Sequence, residues 1–231
     1  MTELSRQAGC PLLGGDTTRT AKVGDIHAPV TISITAMGEL PQSMGLTRSG
    51  ARPGDDIWVS GCVGGAWAAL MHRWGKLTLD ARVFPAAALA MDRPNPRNAL
   101  GTALLSSATA CADISDGLAQ DLGHILERSG VDADVLWDAV PKHPALAALS
   151  QEQQVEAAMS GGDDYELVFT APADKRGLIE QASISALTPV THIGRIVEKK
   201  PSGAPLAIRD ASGRPLFLPV QGFDHFAQSA D

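Results

Sequence analysis

The stretch ACADISDGLAQDLGHILERSG, residues 110–130, limits the possible folds more than any other part of the chain. A short apolar run ends in an acidic, glycine-bearing turn, and a helical pattern starts at once. Leu118, Leu122, Ile125 and Leu126 gather on one face of that helix, so it has to be covered by a neighbouring layer. ADVLW at 133–137 supplies the next strand candidate.

The same alternation runs through most of the sequence. DIWVSG at 56–61 reads as a strand, and GGAWAALMHRWG at 64–75 as a helix whose Trp67, Leu70, Met71 and Trp74 form a stripe expected to pack in the core. Pro94 and Pro96 precede a helical run, and further helical pieces fall at about 144–159. YELVFTAP is a strand, DKRGLIEQASIS a helix and VTHIGRIV at 190–197 a strand, before the short β segments APLAIRD and RPLFLP. Strands alternating with helices indicate an α/β or α+β layer architecture.

The first fifty residues read differently. MTELSRQAGC looks like the tail of an amphipathic helix, with Leu4 and Ala8 on one face and Gly9 and Pro11 stopping it. PLLGGDTT reads as a short apolar strand entering a glycine turn. In APVTISITAMGEL, at 28–40, Val30, Ile32, Ile34 and Ala36 alternate with Thr31, Ser33 and Thr35, the period of a half-buried strand. Gly50, Pro53 and Gly54 make 48–56 rich in turn signals, which predicts a domain boundary there. The expected division is therefore 1–49 and 50–231.

Composition removes several function classes. Aromatic residues are only 4% of the chain against 44% hydrophobic, so the core is built from Ala, Val, Leu and Ile, and exposed aromatic platforms for single-stranded nucleic acid are excluded. A net charge of -7 without a dense basic run argues against nucleic-acid and anionic-membrane binding. Cys10, Cys62 and Cys111 form neither a disulfide framework nor a zinc knuckle, and are expected as small buried residues in a reducing, cytoplasmic setting. No apolar h-region opens the chain, and FPAAALAM at 84–91 is too short to span a bilayer.

Three acidic clusters are built alike, GGDTT at 14–18, DISDG at 113–117 and GGDDYE at 161–166. Each sets short carboxylates beside glycine, where backbone can approach a ligand closely, and Mg²⁺ prefers such oxygens. Each is equally an Asx-turn or helix cap, with Ser115 or Asp116 available to cap the helix from Gly117. Capping and ligand binding can coexist. Asp163 and Asp164 would repel if they faced one site. On an extended strand Asp164 and Glu166 point away from Asp163 and Tyr165, so Asp164 is expected to cap, pair or face water. Asp121 and His124 on the following helix read as packing or hydrogen-bonded residues.

Taken in order, GGDTTR, LTRSGARPGD, DISDGLAQDLGHIL, SGGDDYELVF and GFDHF resemble the thiamine-monophosphate kinase family, part of an ATP-binding superfamily with aminoimidazole ribonucleotide synthetase and selenophosphate synthetase. The resemblance implies a C-terminal α/β sandwich-like domain preceded by the remnant of an α+β ATP-binding domain. It implies ATP- and Mg²⁺-dependent phosphorylation of thiamine monophosphate to thiamine diphosphate. Gly15, Asp16, Arg48 and Ser115 match nucleotide-binding positions, and Asp16, Asp113 and Asp116 match ligands of several Mg²⁺ ions. Asp163, where the family motif also carries Glu, and Phe223 match substrate contacts. No catalytic general base is expected, because an acceptor phosphate oxygen is already ionised. Family members form homodimers and carry roughly a hundred further residues ahead of the segment that opens this chain. Impaired activity is therefore one expectation for the 231-residue form, and a noncatalytic nucleotide-binding or assembly module is the alternative.

Overall fold

The computed structural model describes residues 2–19, 22–24, 26–27, 30–40 and 45–216. They fall into two compact units, Met1–Met44 and Gly45–Asp231. In the first, helix α1 (Thr2–Gln7) is followed by Gly9 in the left-handed region, and the two-residue strands β1 (Lys22–Val23) and β2 (Ile26–His27) pair antiparallel. Neither of the longer strands expected here is present among the described residues. Residues 10–19 and 30–40 have no regular secondary structure, and Leu12, Leu13, Ile32 and Ile34 are exposed, with Val30 at 86%. Alternation alone does not make a strand. It needs a ladder and cross-strand neighbours, and no described residue pairs with 30–40.

The second unit is built on a six-stranded sheet. Its strands are β3 (Asp56–Ser60), β4 (Ala110–Ile114), β5 (Asp132–Leu136), β6 (Glu166–Ala171), β7 (Val190–Val197) and β8 (Leu206–Arg209). The order across the sheet is β4-β6-β3-β7-β5-β8, every pairing antiparallel except β5 with β8. The period of two then divides the side chains. Ile57, Val59 and Val168 enter one apolar cluster, while Trp58, Phe169 and Ala171 enter another.

Helices cover both clusters. The larger takes residues of α2 (Gly65–Arg73), α3 (Phe84–Asp92), α5 (Leu118–Ser129) and α6 (Gln151–Val155), and the smaller takes Leu100 from α4 (Asn98–Ala103) and Ile179 and Ala182 from α7 (Arg176–Ser185). The result is three layers, with helices on both faces of a mostly antiparallel sheet, a mixed α+β arrangement. Helix α5 buries the predicted face, with Leu118, Leu122, Ile125 and Leu126 all inside.

Helix α2 does not bury the predicted stripe. Gly65, Ala66, Ala68 and Ala69 are buried, while Trp74 is 59% exposed and Trp67 only partly covered. Crowding explains the choice. A Cβ on Gly64 would lie 2.7 Å from Leu146 Cδ1 and one on Gly65 2.9 Å from the His143 ring, so the start of this helix admits only small side chains.

Candidate active site

Because β4 and β6 run antiparallel with Ile114 opposite Glu166, the end of one strand meets the beginning of the other. DISDG and GGDDYE therefore emerge together at one end of the sheet. The Asp163 N–H donates to the Ser115 carbonyl at 2.9 Å, and the Tyr165 N–H donates to the Ile114 carbonyl at 2.8 Å. Glycine is required at the contact. A Cβ on Gly162 would come within 2.3 Å of the Ser115 carbonyl oxygen, and one on Gly117, at φ 111°, would lie 2.9 Å from the backbone of Met159 and Ser160.

Neither Ser115 nor Asp116 caps α5, because Gly117 holds the N-cap position without a side-chain bond. The loop is instead held from inside the helix. Asp121, 1% exposed, accepts the backbone N–H groups of Ser115 and Asp116 at 3.0 Å each. Burial pushes its carboxyl above the usual range, and Asp116 and Asp113 push in the same direction against the two N–H bonds. With its N–H fixed, Asp116 is half-buried and takes a bond from Gln120 Nε2 at 3.3 Å, while Asp113 is exposed at the strand end.

The stretch 161–165 is not extended strand. Asp163 and Tyr165 have φ of 66° and 50°, and regular strand begins only at Glu166. The sidedness expected of a strand nevertheless appears, produced by two anchors. Both Asp164 oxygens accept the Gly64 N–H, at 3.0 and 2.9 Å, so of its three expected roles Asp164 caps, at the start of α2. Burial drives its carboxyl up to about 8, opposed by the N–H groups of Gly64 and Ala66 and reinforced by Glu166 and Asp163. Glu166 is buried and bound in fork geometry by Arg97, with Nε to Oε2 at 2.6 Å, and accepts the Ser60 hydroxyl at 2.5 Å.

Asp163 and Tyr165, left outside, face the other motif. The Tyr165 hydroxyl donates to Asp163 Oδ1 at 3.0 Å. Burial raises the phenol's pKa first, and Asp163, Asp113 and Asp116 each raise it further. One of these carboxylates, Asp163, touches the phenol, and those of the other motif act on it through their charge. The backbone of Arg48 lies at the other ends of β4 and α5 from the 115–117 turn: the neighbouring Thr47 carbonyl accepts the Cys111 N–H near the start of β4 at 2.9 Å, and the Arg48 carbonyl accepts the hydroxyl of Ser129, the last residue of α5, at 3.3 Å.

Gly15 and Asp16 are exposed in the first unit, where the Thr17 N–H donates to Asp16 Oδ1 at 2.8 Å. Phe223 lies outside the described residues. The cysteines are less covered than expected: Cys10 is exposed, Cys62 and Cys111 half-buried. Burial raises the Cys62 thiol to about 11 and the Cys111 thiol to about 12, which makes both poor nucleophiles near neutrality. Among the described residues no three His, Cys, Asp or Glu side chains are grouped to hold a metal ion unaided, and no helix is long and apolar enough to cross a membrane.

Two residues that shape the site escape a reading of the sequence. Asp121 carries a weak signal, since it lies on the first turn of the helix behind DISDG, a place from which a carboxylate can reach back to the turn. Arg97 carries none, because its partner Glu166 is 69 residues away.

Residues 52–205 match the AIR synthase related protein, C-terminal domain. The thiamine-monophosphate kinase of Haemophilus influenzae is 37% identical over 227 residues, covering 97% of this chain and 66% of that protein. This chain therefore spans slightly less than two thirds of that relative's length. The crystal structure of the thiamine-monophosphate kinase from Stenotrophomonas maltophilia K279a is 40% identical, with a TM-score of 0.66 over 73% of this chain and 54% of that one. The structure of AaThiL complexed with AMPPCP and TMP is 28% identical, with a TM-score of 0.62 over 78% of this chain and 54% of that one.

Proposed function

Because the chain belongs to the thiamine-monophosphate kinase family of AIR synthase-related proteins, we propose that the whole protein phosphorylates thiamine monophosphate with ATP. The bond between the β-bridging oxygen and the γ-phosphorus breaks, ADP leaves, and a phosphate oxygen of the acceptor takes the phosphoryl group to give thiamine diphosphate. Phosphoryl transfer asks a protein for positioning and charge neutralisation more than for covalent chemistry.

The observation that carries this reading is the clasp between the two acidic loops, with Asp163 N–H on the Ser115 carbonyl and Asp121 holding Ser115 and Asp116. It supports a division of labour. Asp113 and Asp116 would hold Mg²⁺, joined by Asp16. Gly15, Arg48 and Ser115 would contact the nucleotide, and Asp163 with Phe223 the acceptor. Asp113 and Asp116, two carboxylates of one loop, suit that ion, since Mg²⁺ is usually bound by one or two carboxylates completed by substrate phosphates and water, not by an all-protein cage. When bound, it neutralises charge on the phosphates. The AMPPCP and TMP complex of AaThiL supports the pairing of an ATP-like ligand with a phosphorylated acceptor.

Asp163 supplies a fixed negative charge for a cationic or amine-bearing ring, and Tyr165 borders it. No general base is assigned, because the acceptor oxygen is ionised near neutral pH. The reading is tested by incubating the full-length protein with ATP, Mg²⁺ and thiamine monophosphate and resolving the products. Thiamine diphosphate is expected; its absence, with the protein folded, overturns the assignment.

A further inference from the structure

We propose that Tyr165 is a positioning residue for Asp163, and that its phenol sets how tightly the site holds the planar, cationic or amine-bearing ring of the acceptor. The inference rests on the kinase reading only for the identity of that acceptor.

Several independent features converge on Tyr165. It is the only tyrosine in the chain and is 42% exposed, so a role in core packing does not account for it. Its backbone stands at φ 50°, a conformation in which a bulky side chain is an outlier and which glycine or asparagine would occupy more easily. Asp163 is left-handed too, and between them Asp164 is locked onto Gly64. The Tyr165 N–H is taken by the Ile114 carbonyl. With the backbone tied at both points, the side chain has one polar engagement among the described residues, the hydroxyl on Asp163 Oδ1 at 3.0 Å.

That bond gives the Asp163 carboxylate a defined orientation beside the loop of Asp113 and Asp116. One oxygen takes the phenol, and the other is the acceptor offered to the ring's N–H or positive charge. A carboxylate without the phenol would still attract a cation but would lose rotational freedom on binding it.

The lone tyrosine makes the contact measurable apart from catalysis. In the 231-residue chain, phenol ionisation followed by near-ultraviolet absorbance reports Tyr165 alone. Asp163→Asn is expected to lower its midpoint, since Asp163 raises it; an unchanged midpoint overturns the contact whatever the protein catalyses. In the full-length protein Tyr165→Phe is expected to raise KM for thiamine monophosphate about ten-fold, the scale of one hydrogen bond to a charged group. KM for ATP and the thermal midpoint should stay near wild type. An unchanged acceptor KM, or equal rises for both substrates, contradicts the positioning role. Combining Tyr165→Phe with Asp163→Asn should add nothing to Asp163→Asn alone, and independent, multiplying effects would contradict action through Asp163. Failure of the wild type to turn over thiamine monophosphate defeats the kinase reading instead, and the absorbance titration still decides the contact.

Discussion

The Asp121 carboxylate receives the backbone N–H of Asp116 at 3.0 Å, and the same oxygen receives that of Ser115. An acidic side chain on the first turn of α5 therefore shapes the loop carrying the proposed metal and nucleotide contacts. Asp121→Ala would leave two inward N–H groups without their partner and should cost about 2 kcal/mol of stability, read from urea unfolding. Kinase activity should fall further than that loss explains, because Ser115 and Asp116 lose their fixed direction. A variant with wild-type stability and activity would show that Asp121 does not organise the loop.

Asp164 gives the fold a pH dependence of defined sign. Its carboxyl, at about 8 in the folded protein against the ordinary 3.8, holds its proton more tightly when folded. Its contribution to stability is therefore complete below the ordinary aspartate range and is lost as pH rises toward 8. Between about pH 5 and 8.5 the urea midpoint of the wild type should fall relative to that of Asp164→Asn, whose side chain does not titrate. Parallel curves would contradict the shift.

Two glycines separate contact from conformation. Gly162 has no room for a Cβ, which would meet the Ser115 carbonyl at 2.3 Å, whereas Gly123, inside α5, has nothing within 4 Å. Gly162→Ala should destabilise by about 1–3 kcal/mol and weaken catalysis by prising the two acidic loops apart. Gly123→Ala should stabilise by about 0.5–1 kcal/mol, the helix-propensity difference. Thermal unfolding of both variants checks the pair, and a neutral Gly162→Ala would deny the tight clasp.

What could be read in advance was what local periodicity determines. The buried face of α5 follows from side-chain spacing and is observed as expected, and the strand read at 190–197 is present with those bounds. Spacing misled where a neighbour decides the outcome. Trp67 and Trp74 match a buried stripe by period, but the crowding around Gly64 and Gly65 selects the alanine face. Val30, Ile32 and Ile34 alternate like strand residues, yet no described residue pairs with them.

The candidate site divides in the same way. The opposed directions of Asp163 and Asp164 follow in the sequence from an extended strand, but left-handed residues and the Gly64 anchor produce them. Asp121 and Arg97 escape the sequence because their roles depend on three-dimensional partners. A motif marks which residues carry chemistry; the groups that aim them become visible only with the fold.

The central claim is that Asp113, beside the clasped loops, binds the metal-nucleotide and serves phosphoryl transfer. Its most direct test is thiamine diphosphate formation from ATP, Mg²⁺ and thiamine monophosphate by the full-length protein and its Asp113→Asn variant, with Asp164→Asn as the comparison. The account predicts turnover by the wild type and a loss of about 100-fold or more in Asp113→Asn, far beyond the loss in Asp164→Asn. Equal losses in the two variants, or an Asp113→Asn enzyme as fast as the wild type, would contradict it.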